Sequence, residues 1–109
     1  MSSEAFGTSR IVMELINDIK HVDRKFRRAR SQILILNRRI EALLVHYKRA
    51  ERDGKKSAKY ARRLQVATVE GVRNMYYEYA RRQCEEMDRL QNRLRNLTGS
   101  EYEDFEDFD

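Results

Sequence analysis

Cysteine, histidine and acidic residues are the groups in this sequence that could catalyse a reaction or bind a metal. Cys84 could be a nucleophile with His21 as its base, but an antiparallel pairing of the two halves of the chain offsets them by about five residues, roughly 7 Å. Asp18 and His21 have a metal-pair spacing, yet a helical metal site needs a second such pair, which His46 does not provide. We therefore expect no enzyme, no metal and no cofactor, and a buried Cys84.

Basic side chains are dense around Gly54, where they could attract phosphates or acidic proteins. Eight of them stand against Glu51 and Asp53: Lys48, Arg49, Arg52, Lys55, Lys56, Lys59, Arg62 and Arg63. This attraction would be largely independent of nucleotide sequence and sensitive to salt. No nucleic-acid-binding motif accompanies these basic residues. The alternative to anion binding is a loop whose charges are simply solvated.

The C-terminal segment has the opposite charge. Residues 1–98 carry all 23 basic residues and 12 of the 18 acidic ones, a net charge of +11, and residues 101–109 carry the other six acids. Tyr102, Phe105 and Phe108 are interleaved with these acids. We interpret residues 99–109 as a disordered acidic-aromatic tail that solubilises the chain, recruits another protein through its aromatic residues, or folds back on the basic body.

Two long helices must position these groups. Between residues 12 and 50, apolar side chains recur at alternating steps of three and four, which predicts a coiled-coil stripe. Its members are Val12, Leu15, Ile19, Val22, Phe26, Ala29, Ile33, Leu36, Ile40, Leu43, Tyr47 and Ala50. The stripe predicted on the second helix is less regular, with a stutter at Gln83: Leu64, Thr68, Val72, Tyr76, Tyr79, Gln83, Met87, Leu90, Leu94 and Leu97.

The segment around Gly54 separates these helices. Glycine accepts the left-handed conformation that ends a helix, and a short turn makes successive helices antiparallel, pairing positions whose numbers sum to about 110. We predict an all-α fold, a long antiparallel two-helix coiled-coil hairpin. Its predicted parts are a flexible N-terminus at 1–8, a helix at 9–52, a turn at 53–57, a helix at 58–98 and the tail at 99–109.

Several apolar residues lie off the first stripe. Leu34, Ile35, Ala42 and Val45 could be isolated surface residues, or they could form a second apolar face that needs a third or fourth helix. Tyr77 also points away from the predicted stripe, so it is a candidate partner contact. A hairpin covers each helix on one side only, so we expect a helical bundle completed by self-association or by partner helices.

These features predict a non-enzymatic coiled-coil scaffold or adaptor subunit that binds proteins through helix packing and recruits another through its tail. The protein would be a homo-oligomer or a subunit of a hetero-complex. The alternative is a basic nucleic-acid-binding protein that uses the hairpin tip, with the tail as an internal competitor. No apolar run approaches the roughly 20 residues of a membrane span, and the single cysteine is typical of the cytoplasm or nucleus.

Overall fold

The chain folds into two α-helices joined by a short turn, which confirms the predicted helical hairpin. The computed structural model describes the backbone of residues 3–99 and the side chains of residues 9–99. Helix α1 spans Ser3–Arg52 and helix α2 spans Lys56–Thr98. Helix α1 therefore begins six residues before the predicted start at residue 9, and the tail at 100–109 lies outside the described residues.

Gly54 ends α1 and reverses the chain. Its φ angle is 70°, in the left-handed region that favours glycine. The N–H of Gly54 donates to the carbonyl oxygen of Glu51, and the N–H of Lys55 donates to that of Ala50. These are the two hydrogen bonds of a Schellman motif, which satisfies carbonyl groups that the helix end would otherwise leave unpaired. The turn is consequently shorter than predicted, and Ser57 already belongs to α2.

The stripe predicted on α1 is the face that packs against α2. All twelve of its residues are buried or half-buried, and Ile19 is completely buried. Steps of three and four place these side chains on one face of the helix, so they can pack together against α2. The heptad assignment of α1 is thus confirmed over its whole length.

The stripe predicted on α2 is wrong in its N-terminal half and correct from Tyr76 to Leu94, but its last member, Leu97, is 40% exposed. Leu64 is 70% exposed, and Thr68 and Val72 are also exposed. A different set of residues lies at the helix interface: Arg62, Val66, Val69, Arg73, Tyr76, Ala80, Gln83, Met87, Leu90 and Leu94. Its steps of four and three continue without interruption, so the predicted stutter near Gln83 is absent.

The hairpin divides into two compact units, named here by their position in the chain. The end unit contains residues 1–27 and 80–109, of which 3–27 and 80–99 are described, and the turn unit contains residues 28–79. A cluster of large side chains fills the core of the end unit: Leu15, Ile19, Val22, Leu90 and Leu94. The buried residues of the turn unit are smaller on average: Ala29, Ile33, Ile40, Ala50 and Val66.

The polar contacts between the helices of the turn unit follow the predicted register. Arg73 donates a hydrogen bond to Asn37, and Lys59 forms an ion pair with Glu51. The residue numbers of each pair sum to 110. The antiparallel register worked out from the turn position is therefore confirmed within this unit.

Candidate interaction surfaces

Large apolar side chains are exposed mainly on the turn unit. Among the side chains that the structure describes, nine of the twelve large hydrophobic residues that are exposed belong to this unit. They are Leu34, Ile35, Leu44, Val45, Tyr60, Leu64, Val72, Met75 and Tyr77. Leu34, Ile35 and Val45, the three large residues of the predicted second face, are each 54–55% exposed, and its fourth residue, Ala42, is also exposed. The turn unit therefore exposes apolar side chains that are larger than Ala29 and Ala50, two of the five residues that it buries.

The exposed residues continue a helical spacing of their own. On α1, Ile35, Ala42 and Val45 follow one another at steps of seven and three, on the side opposite the buried stripe. On α2, Leu64, Thr68, Gly71 and Met75 follow at steps of four, three and four, and all four are exposed. Both rows face away from the helix interface, so they lie on opposite sides of the turn unit. We call the exposed apolar residues of the α1 row and their neighbour Leu34 the turn-unit surface: Leu34, Ile35, Ala42 and Val45.

Gly71 lies within the exposed row of α2. Glycine in the interior of a helix costs about 1 kcal/mol relative to alanine. A Cβ atom built at Gly71 would meet no atom within 4 Å, so the contacts that the structure describes give no reason for a missing side chain here. A small residue at this position leaves the helix backbone accessible to close packing.

The basic tip divides into paired and exposed cations. Lys59 contacts Glu51 at 3.1 Å and lies 5.9 Å from the ring centre of Tyr47. The hydrogen bond from Lys59 lowers the pKa of Glu51, and the same bond raises the pKa of Lys59. Arg52 lies 3.8 Å from Asp53, so both acids of the tip have a basic neighbour.

The other cations predicted for the tip are not equivalent. Arg62 is half-buried at the helix interface and donates a hydrogen bond to Gln65 at 2.9 Å. The rest are exposed, and they form no ion pair with the residues that the structure describes: Lys48, Arg49, Lys55, Lys56 and Arg63. The tip therefore presents five exposed cations that have no ion pair among the described residues, beside Lys59 and Arg52, which lie next to acids.

Arg73 is an interface residue that the hydrophobic pattern missed. Its Nη1 donates to Asn37 Oδ1 at 3.2 Å, and its Cζ lies 5.5 Å from the ring centre of Tyr77. Its Nε is buried without a hydrogen-bond partner among the described residues. Tyr77, predicted to point away as a partner contact, is exposed but lies against this guanidinium group. A polar layer therefore interrupts the apolar core of the turn unit.

The end unit has a shallow groove of about 490 Å³ with charged walls over an apolar floor. It is lined by Asp18, His21, Val22, Lys25, Gln83, Glu86, Arg89, Leu90 and Arg93. Arg89 Nε donates to Glu86 at 3.0 Å, and this pairing lowers the pKa of the Glu86 carboxyl group. Because its walls carry both signs of charge and Glu86 pairs with Arg89, the groove has no clear preference for one ligand class.

The expectation that Cys84 is buried is wrong, because its side chain is exposed. Small hydrophobic character favours burial of cysteine, but here Ala80 and Gln83 occupy the neighbouring interface positions of α2. The residues that the structure describes contain no group of three or more His, Cys, Asp or Glu side chains that could hold a metal ion. The partner-contact residues predicted in the tail, Tyr102, Phe105 and Phe108, lie outside the described residues.

The fold and these surfaces define a class of protein, an antiparallel helical hairpin with one unit that is basic and partly apolar on its surface. In the described part of the chain, neither helix has a stretch apolar enough to cross a membrane. Comparison of the chain with protein-family models, with curated proteins and with solved structures found no match.

Proposed function

We propose that this protein is a non-enzymatic coiled-coil scaffold or adaptor subunit that binds other proteins through the turn-unit surface. The observation that carries this proposal is the exposure of Leu34, Ile35 and Val45, each more than half accessible in a unit whose own core includes two alanines. A partner helix that covers such residues removes their apolar area from water. This burial stabilises the complex by about 25 cal/mol per Å² of apolar surface. The cytoplasm or nucleus is the compartment that we propose for this role.

Placing aspartate at both Ile35 and Val45 should abolish this binding and leave the hairpin folded. Both side chains are exposed, so the two aspartate carboxylates should change the stability of the isolated hairpin only slightly. In a covered interface, the same carboxylates would be buried without a partner, which should weaken binding by about a hundredfold or more. Affinity purification of the full chain and of the variant, with quantification of bound proteins, measures the loss.

The matched control is aspartate at both Ile11 and Met13, which are exposed residues of the end unit. This control introduces the same charge on the same helix. We expect it to retain the bound proteins, and circular dichroism should show equal helicity for all three chains. Recovery of the same proteins by the Ile35 and Val45 variant would contradict the proposed function.

Binding of nucleic acid by the tip is a second candidate function. The observation that favours it is the group of exposed cations around Gly54, since the tip acids Glu51 and Asp53 lie next to Lys59 and Arg52. Reversing Lys48, Lys55, Lys56 and Arg63 to glutamate should abolish retention of labelled DNA and RNA at low salt. This variant leaves Arg62 unchanged, because Arg62 lies at the helix interface. Unchanged retention in a fluorescence-anisotropy titration would exclude this function.

A further inference from the structure

We propose that the turn-unit surface binds the acidic-aromatic tail, residues 100–109, of a second copy of this chain. Such docking links copies head to tail. The proposal deepens the proposed function and rests on it, since it takes the turn-unit surface as a protein-binding surface and names one ligand. The ligand is a short segment that combines several carboxylates with aromatic side chains.

Charge is the first argument for this ligand. The turn unit holds 13 Lys and Arg residues against five Asp and Glu, a net charge of +8. The described part of the end unit, residues 3–27 and 80–99, holds ten against seven, a net charge of +3. Residues 101–109 carry six acids and no base. The strongest electrostatic attraction available within this sequence is therefore between the tail and the turn unit.

Charge also argues against direct packing of one turn unit on another. Two surfaces of net charge +8 repel each other, and a symmetric dimer would bring identical patches together. A tail that brings six negative charges offsets most of the charge of one turn unit. We therefore expect the tail of one copy to contact the turn unit of the other, and we do not expect two turn units to pack against each other.

The order of side chains supports the same pairing. On the exposed side of α1, apolar and basic residues share one row at helical spacing: Ile35, Arg38, Ala42, Val45 and Arg49. In the tail, Tyr102, Phe105 and Phe108 are each separated from the next by two acidic residues. Aromatic groups can contact the apolar positions while carboxylates reach the arginines, and arginine also favours aromatic faces.

The length of the tail favours a second copy over the same chain. The end-unit part of α2, residues 80–98, lies between the tail and the turn unit along the chain and is about 29 Å long at 1.5 Å per residue. A segment of ten residues spans at most about 36 Å when fully extended. A tail that starts after Gly99 would therefore use most of its length alongside the end unit of its own chain, and too little would remain for its three aromatic residues to contact the turn unit together.

A complementation experiment with full-length chains tests this proposal. The tail variant replaces Tyr102, Phe105 and Phe108 with serine and keeps every acid. The surface variant changes Arg38 and Arg49 to glutamate, and the control changes Arg24 and Arg82, exposed residues of the end unit, in the same way. Sedimentation velocity at low and high salt measures the mass of each chain and of an equimolar mixture of the two variants, and circular dichroism verifies that each is helical.

We expect the wild type and the control to associate at low salt and to dissociate at high salt. Each variant alone should be a single copy, with self-affinity reduced on the order of a hundredfold. The mixture should form a one-to-one complex, because one variant keeps an intact tail and the other keeps an intact surface.

Three results would overturn the proposal. They are a wild type that stays a single copy at low salt, a tail variant that still self-associates, and a mixture that does not form a complex. None of these results affects the test of the proposed function, which measures the binding of other proteins to the Ile35 and Val45 variant. Failure of tail docking and failure of the scaffold function can therefore be told apart.

Discussion

Replacing Leu94 with alanine lowers the free energy of unfolding by about 2–5 kcal/mol, whereas the same replacement at Leu64 changes it by less than about 0.5 kcal/mol. Leu94 is 1% exposed in the core of the end unit, and Leu64 is 70% exposed. Truncating Leu94 removes buried methyl groups and leaves a cavity between the helices. Truncating Leu64 removes atoms that already contact water, so the cost is small.

Urea denaturation followed by circular dichroism measures both changes. High salt and a fixed protein concentration keep any association from contributing to the apparent stability. The two leucines are a sharp comparison because the sequence pattern placed both in the core stripe of α2. A large loss of stability at Leu64 would mean that the predicted stripe, and not the observed one, faces α1.

Helix α1 was predictable because its pattern has one solution. All twelve positions of its stripe are apolar or aromatic, and shifting the stripe by one residue brings Arg27, Arg30 and Glu41 into the core. Gly54 was equally clear, since it stands between the two periodic segments and takes the left-handed conformation that ends a helix. The antiparallel register then follows from the position of the turn.

Helix α2 was harder because its first half has two stripes. Leu64, Thr68 and Val72 have helical spacing, and so do Val66, Val69 and Arg73. A hydrophobic pattern prefers the first set, because the second contains an arginine. Arginine can nevertheless occupy an interface position when its aliphatic part packs and its guanidinium group reaches polar neighbours. Arg73 does so through Asn37 and Tyr77.

The candidate site could be predicted only in part, and for a related reason. Since the core stripe of α1 is unambiguous, the apolar residues left over, Leu34, Ile35 and Val45, had to face elsewhere, and they are exposed. The exposed apolar row of α2 could not be recognised in advance, because the sequence pattern places Leu64 in the core. The exposure of Leu64 and Met75, on the other side of the turn unit, became visible only with the observed packing.

Replacing Arg73 with methionine raises the free energy of unfolding by about 1–3 kcal/mol, because a half-buried arginine that is only partly compensated is exchanged for an apolar side chain. The Nε of Arg73 is buried without a partner among the described residues. The matched control is Arg38→Met, an exposed arginine of α1 whose replacement should change stability by less than about 0.5 kcal/mol. Chemical denaturation of the three chains measures the difference.

A double-mutant cycle with Asn37→Ala identifies the source of that gain. In the wild type, removing Asn37 takes away the acceptor 3.2 Å from Arg73 Nη1 and should cost about 1–3 kcal/mol. In the Arg73→Met chain there is no donor to leave unpaired, so the cost of the same change should be smaller by about 1 kcal/mol or more. Strictly additive effects would mean that Asn37 does not stabilise the guanidinium group of Arg73. Tyr77 would then be the neighbour that compensates it, since its ring lies 5.5 Å away.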